Sequence, residues 1–273
     1  MIEFTAEYKK LDADFRKRNI PTDKPGFCDH PNFLKAEKLE PNSLNNYAAY
    51  VATQPYSTGY LQHAHNIITR ASRILYKELE TNGRLGACVD ISAIFSQILD
   101  KEGIWNCGIK GSLTITFPPD SNEEKTYFWS IDHGEFEAGH AWLSAPPFSI
   151  VDVAVKQQPY NGTKRDYLPN FVLSESTSKV NVEIDDIISP SVREKLSISG
   201  LPEDSYIDRI APQIKDIIKV FPALNFDSVN GAILKYCPVA IHASNTPLKE
   251  MHNMNFSGKT PFELYNDLFK GKL

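Results

Sequence analysis

Apolar residues in this chain recur with the period of a helix in some stretches and in strand-like runs in others. In "GACVDISAIFSQILDKEG", Ile91, Ile94, Phe95 and Ile98 fall at i, i+3, i+4 and i+7, one face of an α-helix, and Leu99 widens the stripe. Gly103 sits where a helix commonly stops, while Gly83 and Gly86 allow a tight turn ahead of it. A second helical stripe runs through "LQHAHNIITRASRILYKELE", carried by Leu61, His65, Ile68, Leu75 and Leu79. Residues 1–57 also read as mainly helical, broken by "IPTDKPGFCDHPNF" and by Pro41. Strand-like stretches follow at "IKGSLTITF" and "KTYFWSID", joined by the polar, Pro-rich hairpin loop "PPDSNEEK". Two more β-rich runs, 138–144 and 148–155, flank "APP". From about residue 176 the helical pattern returns in "DSYIDRIAPQIKDIIKVF" and "TPFELYNDLFKGKL", with Thr260 as N-cap before Pro261 and Glu263. The pattern predicts an α+β architecture: an antiparallel sheet of four strands, a helix packed on it, and further helices at both ends. Three regions result: a helical 1–57, a core over 58–175, and a mainly helical 176–273.

Candidate chemistry concentrates in the middle region. Cys88 stands at or within the first turn of its helix, where unpaired N–H groups and the macrodipole favour a thiolate. A hairpin with a three-residue connection at Ala145, Pro146 and Pro147 would set Ser144 opposite Phe148, Trp142 opposite Ile150 and His140 opposite Asp152. Directly opposed residues share a face, with Cβ atoms roughly 4.5–5.5 Å apart. In that register Asp152 would hold His140 Nδ1–H and leave Nε2 free to take the cysteine proton. A register slip of one residue would put the two on opposite faces. Cysteine, histidine and aspartate each on an element able to present it read as a nucleophile, a general base and an orienting acid. Each has a blander reading on its own: a buried structural thiol, a core histidine beside Trp142, and a strand-ending aspartate.

The runs "NGRLGACVDISAIF", "GHAWLS" and "IVDVA" resemble the transglutaminase-like superfamily, with papain-like thiol enzymes as more distant relatives. The resemblance covers about the middle third of the chain. It implies a nucleophile heading a helix packed on an antiparallel sheet, followed by histidine and aspartate on successive strands, a papain-like core. It also implies one of several activities: cysteine peptidase, amidase, protein crosslinking or deamidation, or arylamine N-acetyl transfer. Carried over, Cys88 matches the nucleophile, His140 the base and Asp152 the acid. Papain-like enzymes place a glutamine six residues before the cysteine as an oxyanion donor. Asn82 holds that position here and becomes the implied donor beside the Cys88 N–H, while Val89 stands where many relatives carry tryptophan.

The remaining features narrow the setting. At 273 residues the chain can bury one large or two modest cores, and 23% charged with 41% hydrophobic residues is ordinary globular usage. A net charge of −5 gives no electrostatic case for nucleic acid, and no apolar run approaches the ~20 residues of a membrane span. The N-terminal residues lack the apolar centre of a signal peptide, and Cys28, Cys88, Cys107 and Cys237 are scattered, so a cytoplasmic location is expected. His63 and His65, two apart on a helix, point away from each other and do not suit a shared metal. "DHGEFEAGH" gathers Asp132, His133, Glu135, Glu137 and His140, donors zinc could accept, yet it reads as a polar loop between strands. No phosphate-cradling glycine pattern occurs, and no metal or cofactor is expected. The expected function is thiol-dependent acyl transfer, with hydrolysis of an amide in a protein, peptide or small molecule as the leading form. Acyl transfer to an amine, and a non-catalytic interaction module retaining the fold, are the alternatives.

Overall fold

The computed structural model describes residues 5–40, 42–132, 135–136, 139–252 and 254–270. Three helices open the chain: α1 (Ala6–Lys17), α2 (Pro31–Leu39) and α3 (Ser43–Thr53). Thr5 caps α1 by accepting from Tyr8 N–H, and Pro31 occupies the first turn of α2, where its missing N–H costs nothing. The helix α4 (Thr58–Asn82) buries Ala64, Ile68, Ala71, Leu75 and Leu79 along one stripe and ends at Gly83, which has a φ of 63°. α5 (Cys88–Lys101) follows after a short turn through Gly86.

The strands then come in order: β1 (Cys107–Thr116), β2 (Thr126–Phe128), β3 (Ile131–Asp132), β4 (Glu135–Phe136), β5 (His140–Ala145), β6 (Phe148–Asp152) and β7 (Val172–Ser174). Four short helices, α6 (Ile184–Ile187), α7 (Pro190–Ile198), α8 (Tyr206–Ile210) and α9 (Ile214–Val220), precede β8 (Leu224–Asp227), β9 (Ile233–His242) and α10 (Pro261–Tyr265). One antiparallel sheet of seven strands carries the fold, in the order β7-β6-β5-β1-β9-β8 with β2 also on β1. It curls until it is nearly barrel-shaped. Past β7, Val180 N–H donates to Ala223 O at 2.9 Å, and the Lys179↔Leu224 bridge brings the β7 side onto β8.

Three apolar clusters surround this sheet. On β5 and β6, Ala141, Leu143 and Val151 pack with α4 and α5. Their neighbours Trp142 and Ile150 point the other way, into a cluster shared with Phe15, Phe33, Tyr47 and Tyr50 of α1–α3. Cys237 and Val239 of β9 pack with Ile187 and Val192 of α6 and α7. The N-terminal helices and the C-terminal strands thus complete the core that the middle region begins.

The α+β class and the antiparallel sheet agree with the sequence pattern, and two expectations need correction. Among the described residues the sheet has seven strands rather than four, and the 176–273 region adds to its helices two strands the sequence pattern does not predict, β8 and the long β9. Pro238 disguises β9. It lies opposite Gly111, where the β1–β9 register shifts, which is where a sheet tolerates a residue lacking an N–H. Of the proposed metal-like group, His133 and Glu137 and the side chain of Glu135 lie outside the described residues. Among those described, no group of three His, Cys, Asp or Glu could hold a metal ion. No helix among them is long and apolar enough to cross a membrane.

Gly111 has a structural reason to be glycine. It lies between His140 of β5 and Pro238 of β9, and a Cβ there would run into the Cys237 carbonyl and, at 2.7 Å, the Trp142 ring. Gly111→Ala should therefore destabilise the protein by about 2 kcal/mol, the usual scale for overpacking. Urea unfolding against wild type measures it. A cost within experimental error would mean that β1 and β9 are more loosely joined than this register requires.

Candidate active site

His140 is the first residue of β5 and Asp152 the last of β6, and both side chains are fully buried. The hairpin joining them departs from the expected register. Its connection is Pro146–Pro147 alone, with a cis peptide between them, so Ala145 pairs with Phe148. A β-bulge then sets Ser149 and Ile150 against Ser144, and the ladder resumes at Leu143↔Val151. The shorter turn moves the register by one residue and the bulge moves it by one more. Two shifts restore the face. Asp152 is thereby placed across from Trp142, as the diagonal neighbour of His140 on the same side of the sheet.

That offset decides which ring nitrogen the acid meets. His140 Nε2 lies 2.6 Å from Asp152 Oδ2, so Nε2, not Nδ1, faces the carboxylate. The expected assignment of the two nitrogens is reversed, because a carboxylate reaching diagonally meets the end of the ring farther from the backbone. Asp152 is held from two further directions. The hydroxyl of Tyr236, on β9, donates to Oδ2 at 2.9 Å, and the Ala154 N–H donates to Oδ1 at 2.8 Å. Trp142 stacks beside the imidazole with ring centroids 6.3 Å apart, and Tyr236 packs edge-on to Trp142 at 5.1 Å.

Burial alone would drive His140 toward its neutral form. The charge of Asp152 and its hydrogen bond outweigh that, and the Cys88 thiol acts in the same direction. The imidazole is pushed up from 6.5 to about 10 and is held as a cation through neutral pH. Burial, helped by the Asp152 charge, pushes the Tyr236 phenol well up, which keeps it a donor.

Cys88 is the first residue of α5, with 5% of its surface exposed. The preceding Ala87 offers no side-chain cap, and the N–H of Cys88 has no intrahelical acceptor. Two bonds set this helix end against the histidine strand. Ser92, one turn further on, donates from its hydroxyl to Ala141 O at 3.2 Å, and Gly86 N–H donates to Gln157 O at 2.9 Å just beyond Asp152. His140 Nδ1 is buried and makes no hydrogen bond of ordinary geometry among the described residues, so the ring nitrogen not held by Asp152 is the one left to face the Cys88 thiol. Tyr160, whose hydroxyl donates to Val155 O, feels the charges of both Asp152 and Cys88 and closes part of the surroundings.

Asn82 is differently placed. As the last residue of α4 it is exposed, its Nδ2 donates to Glu78 O at 2.7 Å, and its Oδ1 accepts from Ser257 N–H at 3.0 Å. In this arrangement the amide ties the end of α4 to the segment before α10. The structure thus brings Cys88, His140 and Asp152 together and engages Asn82 elsewhere. The other three cysteines are buried, and burial pushes each thiol up.

Sequence reasoning missed Tyr236, Ser92 and the Ala154 N–H. Tyr236 was hidden because its strand was not recognised, although "DSVNGA" ahead of it contains a hairpin-turn signal. Comparison with protein-family models, curated proteins and solved structures gives no match.

The raised imidazole fixes the sign of a pH effect. A group whose folded value lies above its ordinary 6.5 contributes stability fully present below 6.5 and lost as pH rises through about 10. The gap in unfolding free energy between wild type and His140→Gln should shrink by at least about 1 kcal/mol from pH 6 to pH 10. Groups common to both proteins cancel in that difference. A gap that stays constant or widens would mean that His140 is neutral in the fold.

Proposed function

We propose that this protein is a thiol-dependent acyl-transfer enzyme whose leading reaction is hydrolysis of an amide bond. The single observation that carries the reading is the buried His140–Asp152 pair, with its carboxylate fixed by Tyr236 and Ala154 and the Cys88 thiol acting on the same imidazole. A charged pair in an apolar interior costs desolvation energy that packing alone does not require, and perturbed groups of this kind gather at functional sites. The similarity of the Cys88, His140 and Asp152 runs to the transglutaminase-like superfamily supports the same reading and gives the sheet and α5 a papain-like interpretation.

In the proposed cycle the Cys88 sulfur attacks the substrate carbonyl carbon, and its proton resides on His140 Nδ1. The tetrahedral oxyanion faces the Cys88 N–H at the start of α5. The C–N bond then breaks as Nδ1 protonates the leaving amine, which leaves a thioester on Cys88. Water attacks that thioester, Nδ1 takes the water proton, and the C–S bond breaks to release the acid. Asp152 holds Nε2–H throughout, so the ring cannot turn or change tautomer. Asn82 would need to release Glu78 and Ser257 to assist the oxyanion, and the Cys88 N–H is the donor the helix supplies without rearrangement.

Iodoacetamide alkylation read by peptide mass spectrometry tests the reading directly. Below pH 7, Cys88 should label about tenfold or more faster than Cys28, Cys107 or Cys237. His140→Ala should remove that advantage, and Asp152→Asn should reduce it. If Cys88 reacts only on unfolding, the thiol is structural and the proposal fails.

A further inference from the structure

A cavity of about 320 Å³ opens beside the Pro146–Pro147 turn. Its deep walls are apolar, with the rings of Trp142 and Tyr236 among them, and its rim carries Lys179, Lys219 and Glu175. Mouths of barrels are common sites for small ligands, which take an apolar body and a few polar groups. A cavity of about 150 Å³ holds a benzene molecule, so this one has room for a ring and a short tail.

The polar groups specify the tail. Trp142 and Ser144 are 1% and 8% exposed, and neither the indole N–H nor the hydroxyl is bonded to a described residue. The indole and the two rim ammonium groups can only donate, and the hydroxyl can donate as well. Lys219 shares its charge with Asp216 at 2.7 Å, whereas Lys179 makes no ion pair among the described residues. Glu175 is the anionic group among the lining residues, and with Lys219 paired to Asp216, Lys179 is the cation left without an ion pair over the unpaired donors. A carboxylate suits that set. A neutral amide suits it less, because half of its hydrogen-bonding capacity is donation.

We propose that this cavity binds a compact apolar monocarboxylate, its hydrocarbon body against Trp142 and Tyr236 and its carboxylate served by the free donors. The proposal does not rest on the chemistry assigned to Cys88: Trp142 and Tyr236 border both places, but Ser144 and Lys179 touch none of Cys88, His140 and Asp152.

Calorimetric titration of the full chain with 3-phenylpropionate, and separately with 3-phenylpropionamide, tests it. The acid should bind with a dissociation constant below about 1 mM and at least about tenfold more tightly than the amide. Lys179→Gln should weaken the acid about fivefold and leave the amide unchanged, the scale of one exposed ion pair. Ala52→Phe fills the mouth from an exposed position on α3 and should abolish binding while the circular dichroism spectrum is retained. Failure of both probes to bind, equal affinity for acid and amide, or undiminished binding to Ala52→Phe would each overturn the proposal.

Discussion

The ion pair between His140 and Asp152 is the constraint around which the centre of the fold is arranged. Two charges removed from water are tolerable only when paired and when their remaining hydrogen-bonding capacity is met. Asp152 meets that condition with donors from three places: the strand beside it, the loop just after it, and β9. The last donor comes from a residue 84 positions later. The pair therefore exists in its finished form only once the C-terminal strand has docked against β1.

This dependence explains why a chain read in three parts folds around shared cores. The middle region contains Cys88, His140 and Asp152, but it cannot fix their geometry alone. β9 must lie beside β1 to bring Tyr236 to the carboxylate, and Gly111 must be glycine so that both neighbours can approach. The aromatic residues of α1–α3 cover the face on which Trp142 lies, and Trp142 in turn stacks on the imidazole. α4 and α5 cover the opposite face, and the Ser92 bond to Ala141 sets the level at which Cys88 stands. Positional accuracy at a reactive site depends on such supporting contacts more than on the reactive groups themselves.

Local pattern made part of this legible. The α5 stripe is strong because Ile91, Ile94, Phe95 and Ile98 are all buried against one sheet, and periodicity reports burial of that kind well. Cys88 at its head followed directly from the glycines before it. The pairing of His140 with Asp152 was legible as proximity and illegible as geometry. Turn length and bulge each move register by one residue, and neither is encoded by the alternation of apolar positions. The two shifts cancel in face and not in atom, which is why the same two residues meet, but through the opposite ring nitrogen. Tyr236 was out of reach for a different reason. Its strand contains a proline at a bulge and finds its partners through long-range pairing, which no local window contains. Asn82 shows the converse hazard. A residue at the right spacing from the cysteine is placed by its own helix, and the C-terminus of α4 uses its amide for Glu78 and Ser257 before any oxyanion could.

Placing β9 between β1 and β8 also joins two features that lie far apart in the chain. Tyr236 offers its hydroxyl to Asp152 on one side and its ring to the open cavity, with Trp142 beside it performing the same double duty toward His140. Each ring is nearly inaccessible to solvent, and a close-packed interior passes displacement from one wall to the next instead of absorbing it. The imidazole is thus bonded to the acid and flanked by both aromatic rings. A histidine held this way cannot rotate to take a second partner on Nε2, so any proton it exchanges must pass through Nδ1, the nitrogen nearer the backbone. That restriction follows from the diagonal register of β5 on β6, and it gives the bulge at Ser149 and Ile150 a consequence well beyond the hairpin that contains it.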